Sequence, residues 1–178
     1  MAPRLRRWDE PPRDRDQARV PTPERLQREA LRALARREMT AWQLRARLER
    51  LGGRTEDIDQ VVAALQAGGW LDDRRAARLH AQTAFRVRHR ARARILAELE
   101  AIGVAGPLAR EVVEEVCSPE LEQRRLDETL VRQLRGTRRE ERDPRRLFTA
   151  LVRQGYDPEQ VRAALEKVGL GGEPDEPR

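Results

Sequence analysis

One set of apolar residues recurs three times at fixed distances from a glycine, and this repeat strongly limits the possible folds. The glycines are Gly52, Gly103 and Gly155. Apolar residues stand eight and four positions before each glycine, and six, ten and thirteen positions after it: Leu44, Leu48, Ile58, Val62, Leu65, Ile95, Leu99, Ala109, Val113, Val116, Leu147, Leu151, Val161, Leu165 and Val168. Steps of four and three place side chains on one helix face, and the intervening glycine favours a tight turn. The sequence therefore predicts an all-α tandem array, an architecture that usually serves binding.

Helix starts are marked by a capping residue, in most cases followed by proline. The capping side chain accepts a hydrogen bond from the first turn, and proline lacks a donor that this turn would leave unpaired. The signal occurs at Thr22-Pro23, Ser118-Pro119, Asp143-Pro144 and Asp157-Pro158, and Thr40 with Gln43 has the spacing of a capping box. The sequence predicts nine helices, at residues 23–37, 40–51, 55–67, 72–88, 90–102, 106–117, 118–135, 143–154 and 158–168.

These helices form three groups of three. We expect helical units at 22–70, 71–117 and 118–170, between a disordered tail at 1–21 and a flexible tail at 171–178. Only 38% of the chain is apolar and 3% is aromatic. One large core is therefore disfavoured, and three small cores in an elongated array fit the composition better.

The stretch from Arg86 to Arg94 alternates arginine with other residues and, read alone, resembles a strand. Its alanines are poor strand formers, and Ile95 and Leu99 continue out of it with helical spacing. The sequence therefore favours a helix here, with a break near His89 left open.

Positive charge is concentrated in the second unit. No acidic residue occurs from Arg74 to Ala97, and the arginines there exceed in number the net charge of +6: Arg74, Arg75, Arg78, Arg86, Arg88, Arg90, Arg92 and Arg94. Local basicity of this kind indicates a polyanion or an acidic protein face as partner, and a solvated helix surface is the alternative.

If that segment is helical, Arg86, Arg90 and Arg94 share one stripe, with Arg88 and Arg92 on the far side. The sequence then predicts that glutamate at Arg86, Arg90 and Arg94 abolishes activity and leaves the helical content unchanged. A second, weaker patch is interrupted by acidic residues and comprises Arg138, Arg139, Arg142, Arg145 and Arg146.

No residue pattern indicates an enzyme, a metal site or a cofactor. The two histidines, His80 and His89, are nine positions apart, and Cys117 is the single cysteine. We expect a half-buried structural role for His80 and a core position for Cys117. Asp72 and Asp73 precede a helix, so capping explains them better than catalysis.

The remaining features concern location and the tryptophans. No apolar run approaches the roughly 18 residues of a membrane span, and no apolar stretch follows the basic N-terminus. A single cysteine suits a reducing compartment, so we expect a cytoplasmic monomer. Packing of Trp70 between the first two units is favoured over stacking on a base. Trp8 lies in the tail.

Three segments resemble the RecX family. They are Gly69-Trp-Leu-Asp-Asp-Arg-Arg-Ala-Ala77, Arg94-Ile-Leu-Ala-Glu-Leu-Glu-Ala-Ile-Gly-Val104 and Arg153-Gln-Gly-Tyr-Asp-Pro-Glu-Gln-Val161, and the likeness extends over residues 24–170. Some positions depart from the family pattern. Ala76 stands where phenylalanine is usual, Gln154 separates an arginine from a glycine that are often adjacent, and a glycine-rich turn reads Arg88-His-Arg-Ala-Arg92.

The resemblance implies a regulator of the RecA recombinase. Members of the family bind along the groove of the recombinase filament on DNA and suppress its ATPase and strand exchange. Two alternatives remain: a general nucleic-acid binder that competes for single-stranded or duplex DNA, and a helical scaffold for an acidic protein.

Overall fold

The computed structural model describes residues 20–135 and 143–170. Within these ranges the chain forms nine helices and no strand, so the predicted all-α class is confirmed. The helices are α1 Pro23–Leu34, α2 Ala41–Arg50, α3 Thr55–Ala67, α4 Asp73–Arg86, α5 Arg92–Ala101, α6 Gly106–Val116, α7 Pro119–Leu134, α8 Pro144–Arg153 and α9 Pro158–Lys167.

The predicted capping residues start these helices. The side chains of Thr22, Ser118, Asp143 and Asp157 each accept a hydrogen bond from a backbone N–H of the following first turn. Thr40 and Gln43 form the predicted capping box of α2. Side-chain acceptors thus compensate the unpaired donors at five helix N-termini.

The three repeat glycines all adopt left-handed backbone conformations. Their φ angles are 84° at Gly52, 81° at Gly103 and 96° at Gly155. In each turn the residue after the glycine donates its N–H to the carbonyl of the apolar residue four positions before the glycine, at 3.0–3.3 Å. This is the Schellman pattern of a helix C-terminus, which favours glycine because an L side chain is strained at such a φ.

The buried apolar residues form three separate clusters. α1, α2 and α3 pack together, as do α4, α5 and α6, while α9 packs on both α7 and α8. We call these sets the first, second and third groups. Nearly all of the repeated apolar positions are buried or half-buried, and Val168 is an exposed exception. The predicted tails fall largely at 1–19 and 171–178, outside the described residues. Pro21 is buried.

The stretch from Arg86 to Arg94 is not helical throughout, and the break near His89 is present and longer than the predicted ranges 72–88 and 90–102 allow. α4 ends at Arg86, the chain is not helical from 87 to 91, and α5 begins at Arg92. His89 has φ 53°, a left-handed value at which histidine is tolerated better than bulkier residues. The interruption frees the N–H of Ala91 to donate to the Gln154 carbonyl of the third group at 2.9 Å. Arg86, Arg90 and Arg94 therefore do not share a helical stripe.

Candidate interface on the second helical group

The first joint fixes the second group against the first. Thr40 Oγ1 donates to the Ile102 carbonyl at 2.6 Å, and the Ala41 N–H donates to Asp73 Oδ1 at 2.7 Å. Trp42 packs directly on Gly103, where a Cβ atom would collide with the indole side chain. Asp72 caps its own helix through the Arg75 N–H. The predicted capping roles of Asp72 and Asp73 are confirmed, although Asp73 caps the helix α2 of the preceding group.

The second joint repeats this arrangement one repeat later in the chain. The Ala91 N–H donates to the Gln154 carbonyl at 2.9 Å, and the Arg92 N–H donates to Glu122 Oε1 at 2.7 Å. Burial raises the pKa of Glu122, while the Arg92 N–H and guanidinium oppose that shift. Both joints therefore join a helix N-terminus to a carboxylate and to the carbonyl before a repeat glycine.

Acidic residues of α6 neutralise two arginines of the acid-free sequence run. Arg74 contacts Glu111 at 2.7 Å and Glu115 at 3.7 Å, and Arg78 contacts Glu115 at 3.0 Å. The hydrogen bond from Arg74 lowers the pKa of Glu111. The segment from Arg74 to Ala97 contains no acidic residue, but the fold places the acidic residues of α6 beside its arginines.

Arg75 is a clamp between two loops. Its Nε bonds Glu38 at 2.8 Å, while its two terminal nitrogens donate to the carbonyls of Gly69 at 3.3 Å and Trp70 at 3.2 Å. Every nitrogen of this guanidinium has a protein acceptor, which assigns it a structural role.

Glu98 of α5 contacts two arginines and one histidine. Its carboxylate lies 3.1 Å from Arg94 Nε, 3.6 Å from Arg90 Nε and 3.1 Å from His80 Nε2. His80 is half-buried, as predicted. The same carboxylate holds Arg90 and Arg94 and reduces the positive charge that they present to a partner.

Arg92 is part of the second joint. Besides its backbone bond to Glu122, its guanidinium donates to the Cys117 carbonyl at 2.9 Å and lies 3.9 Å from Glu114. Cys117 is fully buried in the core of the second group, as predicted, and burial raises the pKa of its thiol to about 12.

Arg86 and Arg88 remain exposed and form no ion pair with any residue of 20–135 or 143–170. Arg88 borders a shallow cleft of about 160 Å³ between the first two groups. Arg37, another exposed arginine, lines the same cleft, together with Leu79 and Thr83 of α4 and with Glu38, whose carboxylate Arg75 binds. Sequence reasoning missed Arg37 because it lies on the first group, and only the fold brings it to Arg88.

The weaker patch is only partly described. Arg138, Arg139 and Arg142 lie outside the described residues, and Arg145 begins α8 with its N–H bonded to Asp143. Arg146 Nε lies 3.2 Å from Asp143 Oδ2. Asp143 thus opposes the positive charge of this segment, as its sequence position suggests.

His89 holds the turn between α4 and α5. Its Nε2 lies 2.9 Å from Arg132, and burial together with the charges of Arg132 and Arg125 lowers its pKa. Arg125 also stacks over the Phe85 ring, 5.4 Å from its centroid. The turn that presents Arg88 is therefore supported by α7 of the third group.

Trp70 does not pack between the first two groups, so that expectation is wrong. Trp70 is 64% exposed and belongs to none of the three clusters, whereas its neighbour Leu71 is buried in the core of the first group. Trp42 takes the place at the joint instead.

The described part of the chain brings no three His, Cys, Asp or Glu side chains together in a metal-binding arrangement. Among the same residues, no helix has both the length and the apolarity needed to traverse a bilayer.

The fold and surface define a protein of nine described helices around three small cores, joined by repeated hydrogen bonds at helix N-termini and carrying a cleft that Arg37 and Arg88 line. A comparison with models of known protein families finds no match. A regulatory protein RecX from Treponema pallidum is 34% identical over 137 residues, 76% of this chain and 80% of the relative. The RecX of Halorhodospira halophila is 36% identical over 138 residues, 76% of this chain and 83% of the relative.

Solved structures agree in fold. The crystal structure of RecX from Lactobacillus salivarius matches with a TM-score of 0.68 at 15% identity, over 83% of this chain and 97% of that one. A second crystal structure of a regulatory protein RecX matches with a TM-score of 0.63, over 83% of this chain and 73% of the other. The chain belongs to the RecX family, whose members found here are named as regulatory proteins and not as enzymes.

Proposed function

We propose that this protein binds the RecA recombinase filament on DNA and inhibits its ATPase and strand exchange. Support comes from membership of the RecX family and from the surface beside the first joint. The observation that carries the proposal is the cleft between the first two groups, which Arg37 and Arg88 both line. Arg86 extends this positive surface along α4.

The unpaired state of these arginines distinguishes them from their neighbours. Arg74, Arg78 and Arg94 already have carboxylate partners, so a phosphate or an acidic side chain would have to displace those partners. Arg86 and Arg88 can contact an anionic partner without breaking an ion pair within the described residues. Binding that favours one state of the filament inhibits without any chemistry of the binder itself.

The test reverses the charge at the cleft. We expect the Arg37→Glu, Arg86→Glu and Arg88→Glu triple variant to need at least about tenfold more protein for half-inhibition of the DNA-dependent ATPase, since like charges would oppose docking. The matched control carries Arg25→Glu, Arg110→Glu and Arg124→Glu, three exposed residues on other helices with the same total change of charge. Circular dichroism checks the helical content of both. Full inhibition by the cleft variant, or an equal loss in the control, contradicts the assignment of the cleft.

The competing function is simple competition for DNA through the basic surface. The two functions predict different results when the concentration of this protein is far below that of the recombinase and of the DNA sites. Inhibition of the ATPase under that condition requires the filament as target. Inhibition that appears only when the DNA sites are saturated favours the competitor.

A further inference from the structure

Trp70 is an exposed aromatic residue that the cores of this protein do not use. It lies in the loop between α3 and α4, and the residue is 64% exposed. None of the three buried clusters includes it. Exposure of a large apolar ring to water is unfavourable, and binding of a partner would bury it. Trp70 is therefore a candidate contact for a partner.

The loop holds Trp70 in a defined position. The Trp70 N–H donates to the Leu65 carbonyl at 2.9 Å, and Arg75 holds the carbonyls of Gly69 and Trp70. Gly69 has a left-handed φ of 71°, and a Cβ on Gly68 would lie only 3.0 Å from Trp70 Cδ1. The indole is thus presented on a pre-organised loop, so little entropy is lost when it meets a ligand.

The same face of α4 leads from this loop to the candidate cleft. Arg75, Leu79 and Arg86 are four and seven positions apart, and all three are exposed. Arg75 and Arg86 are separated by about 16 Å along the helix axis at 1.5 Å per residue. Trp70 stands at one end of this face, and Arg86 and Arg88 stand at the other.

The surroundings of Trp70 fit a nucleobase better than an apolar protein pocket. Its described contacts are the backbone of its own loop, Gly68 and the clamp of Arg75 with Glu38. Protein hot spots usually lie at the centre of a patch that other side chains seal from water, whereas base stacking needs only one open ring face, and the unpaired Arg86 and Arg88 farther along the chain can receive the phosphates. A duplex keeps its base faces stacked, so only an unpaired base offers a matching surface.

We infer that Trp70 stacks on an unpaired base of single-stranded DNA whose phosphates run along α4 toward Arg86 and Arg88. The inference rests on the proposed function, because it specifies which form of DNA the basic surface receives. Trp70 then provides the preference for single-stranded DNA, and Arg86 and Arg88 provide the attraction to the phosphates of any DNA.

The experiment uses the full chain with Trp8→Phe and Trp42→Phe, which leaves Trp70 as the sole tryptophan. We expect its fluorescence to be quenched by a thymidine 20-mer and not by a 20-base-pair duplex. In the otherwise unaltered chain, Trp70→Ala should weaken binding of the 20-mer about tenfold, within the range for loss of one stacked base, and leave duplex binding unchanged. Trp70→Phe, which keeps a ring, should restore most of that affinity.

Three results overturn the inference. They are an unquenched Trp70 with the 20-mer, an equal loss of single-strand and duplex affinity in Trp70→Ala, and unchanged single-strand affinity in a Trp70→Ala protein that no longer inhibits the filament. The last outcome would indicate a protein contact. If Trp70→Ala loses single-strand affinity but the charge-reversed cleft variant still inhibits the ATPase, the stacking assignment stands and the cleft's role in the proposed function fails.

Discussion

At the scale of single residues, the repeat glycines do two different things. All three take a left-handed φ that closes a helix C-terminus. Gly103 and Gly155 also receive the preceding group, because Trp42 lies against one and the backbone N of Arg94 lies 2.7 Å from a Cβ built on the other. Gly52 has only Pro21 nearby, at 3.9 Å from such a Cβ. The sequence repeat predicts the turn that all three glycines share, but not the close contact of Gly103 and Gly155 with the preceding group.

Alanine substitution separates these roles. We expect Gly52→Ala to cost about 1–2 kcal/mol from backbone strain alone. Gly103→Ala and Gly155→Ala should each cost about 1–3 kcal/mol more, since the new methyl group displaces a neighbouring group. Urea denaturation followed by circular dichroism measures the three free energies of unfolding, with Gly52→Ala as the internal control for strain. Equal losses at all three positions would exclude the contact role.

At the scale of helices, the starts could be predicted from the sequence and the charge pairing could not. A cap and the following proline are adjacent in the chain, so Ser118-Pro119 and Asp157-Pro158 reveal their helices locally. Arg74 and Glu111 are 37 positions apart and meet only because α4 packs on α6. The break at His89 was visible only as an option, because the bond that fixes it comes from Gln154 of another group.

Removing the acids of α6 should uncover the arginines that they neutralise. Glu111→Gln with Glu115→Gln leaves Arg74 and Arg78 free for phosphate. We expect the slope of log affinity against log salt for a duplex to steepen by up to about 2, since each neutralised phosphate adds roughly 0.9. The urea midpoint should change little, because these pairs are solvent-exposed. Glu56→Gln with Asp57→Asn, exposed or half-exposed acids in the first turn of α3, is the control matched in charge. An unchanged slope would show that α4 does not meet DNA on this side.

At the scale of the whole molecule, the third group lacks the donor that each joint uses. Ala41 and Arg92 offer an N–H at the first residue of their helices, whereas Pro144 at the equivalent position of α8 has none. Asp143 supplies the capping carboxylate from within the same group, through the N–H groups of Arg145 and Arg146. The N-terminus of α8 therefore cannot form with a second copy of the chain the hydrogen bond that Ala41 and Arg92 form at the joints.

This self-capped end predicts a monomer. Light scattering coupled to size exclusion should give the mass of one chain, 20.6 kDa, across a hundredfold range of concentration. Asp143→Thr with Pro144→Ala restores the chemistry of the first joint and serves as the comparison. Mass that rises with concentration in the unaltered protein would contradict the prediction.

The joints also bear on how far such sequences can diverge. The acceptors at Ile102 and Gln154 are main-chain carbonyls, and the donors at Ala41, Ala91 and Arg92 are main-chain amides. Every amino acid carries that carbonyl, and every one except proline carries that amide. Only the bond from Ala91 to Gln154 is main chain on both sides, and the other three bonds each need one side chain, from Thr40, Asp73 or Glu122. Substitution can therefore replace the side chains around a joint other than these three while its geometry persists. A fold shared with solved relatives at 15% identity is the outcome that such inheritance through the backbone allows.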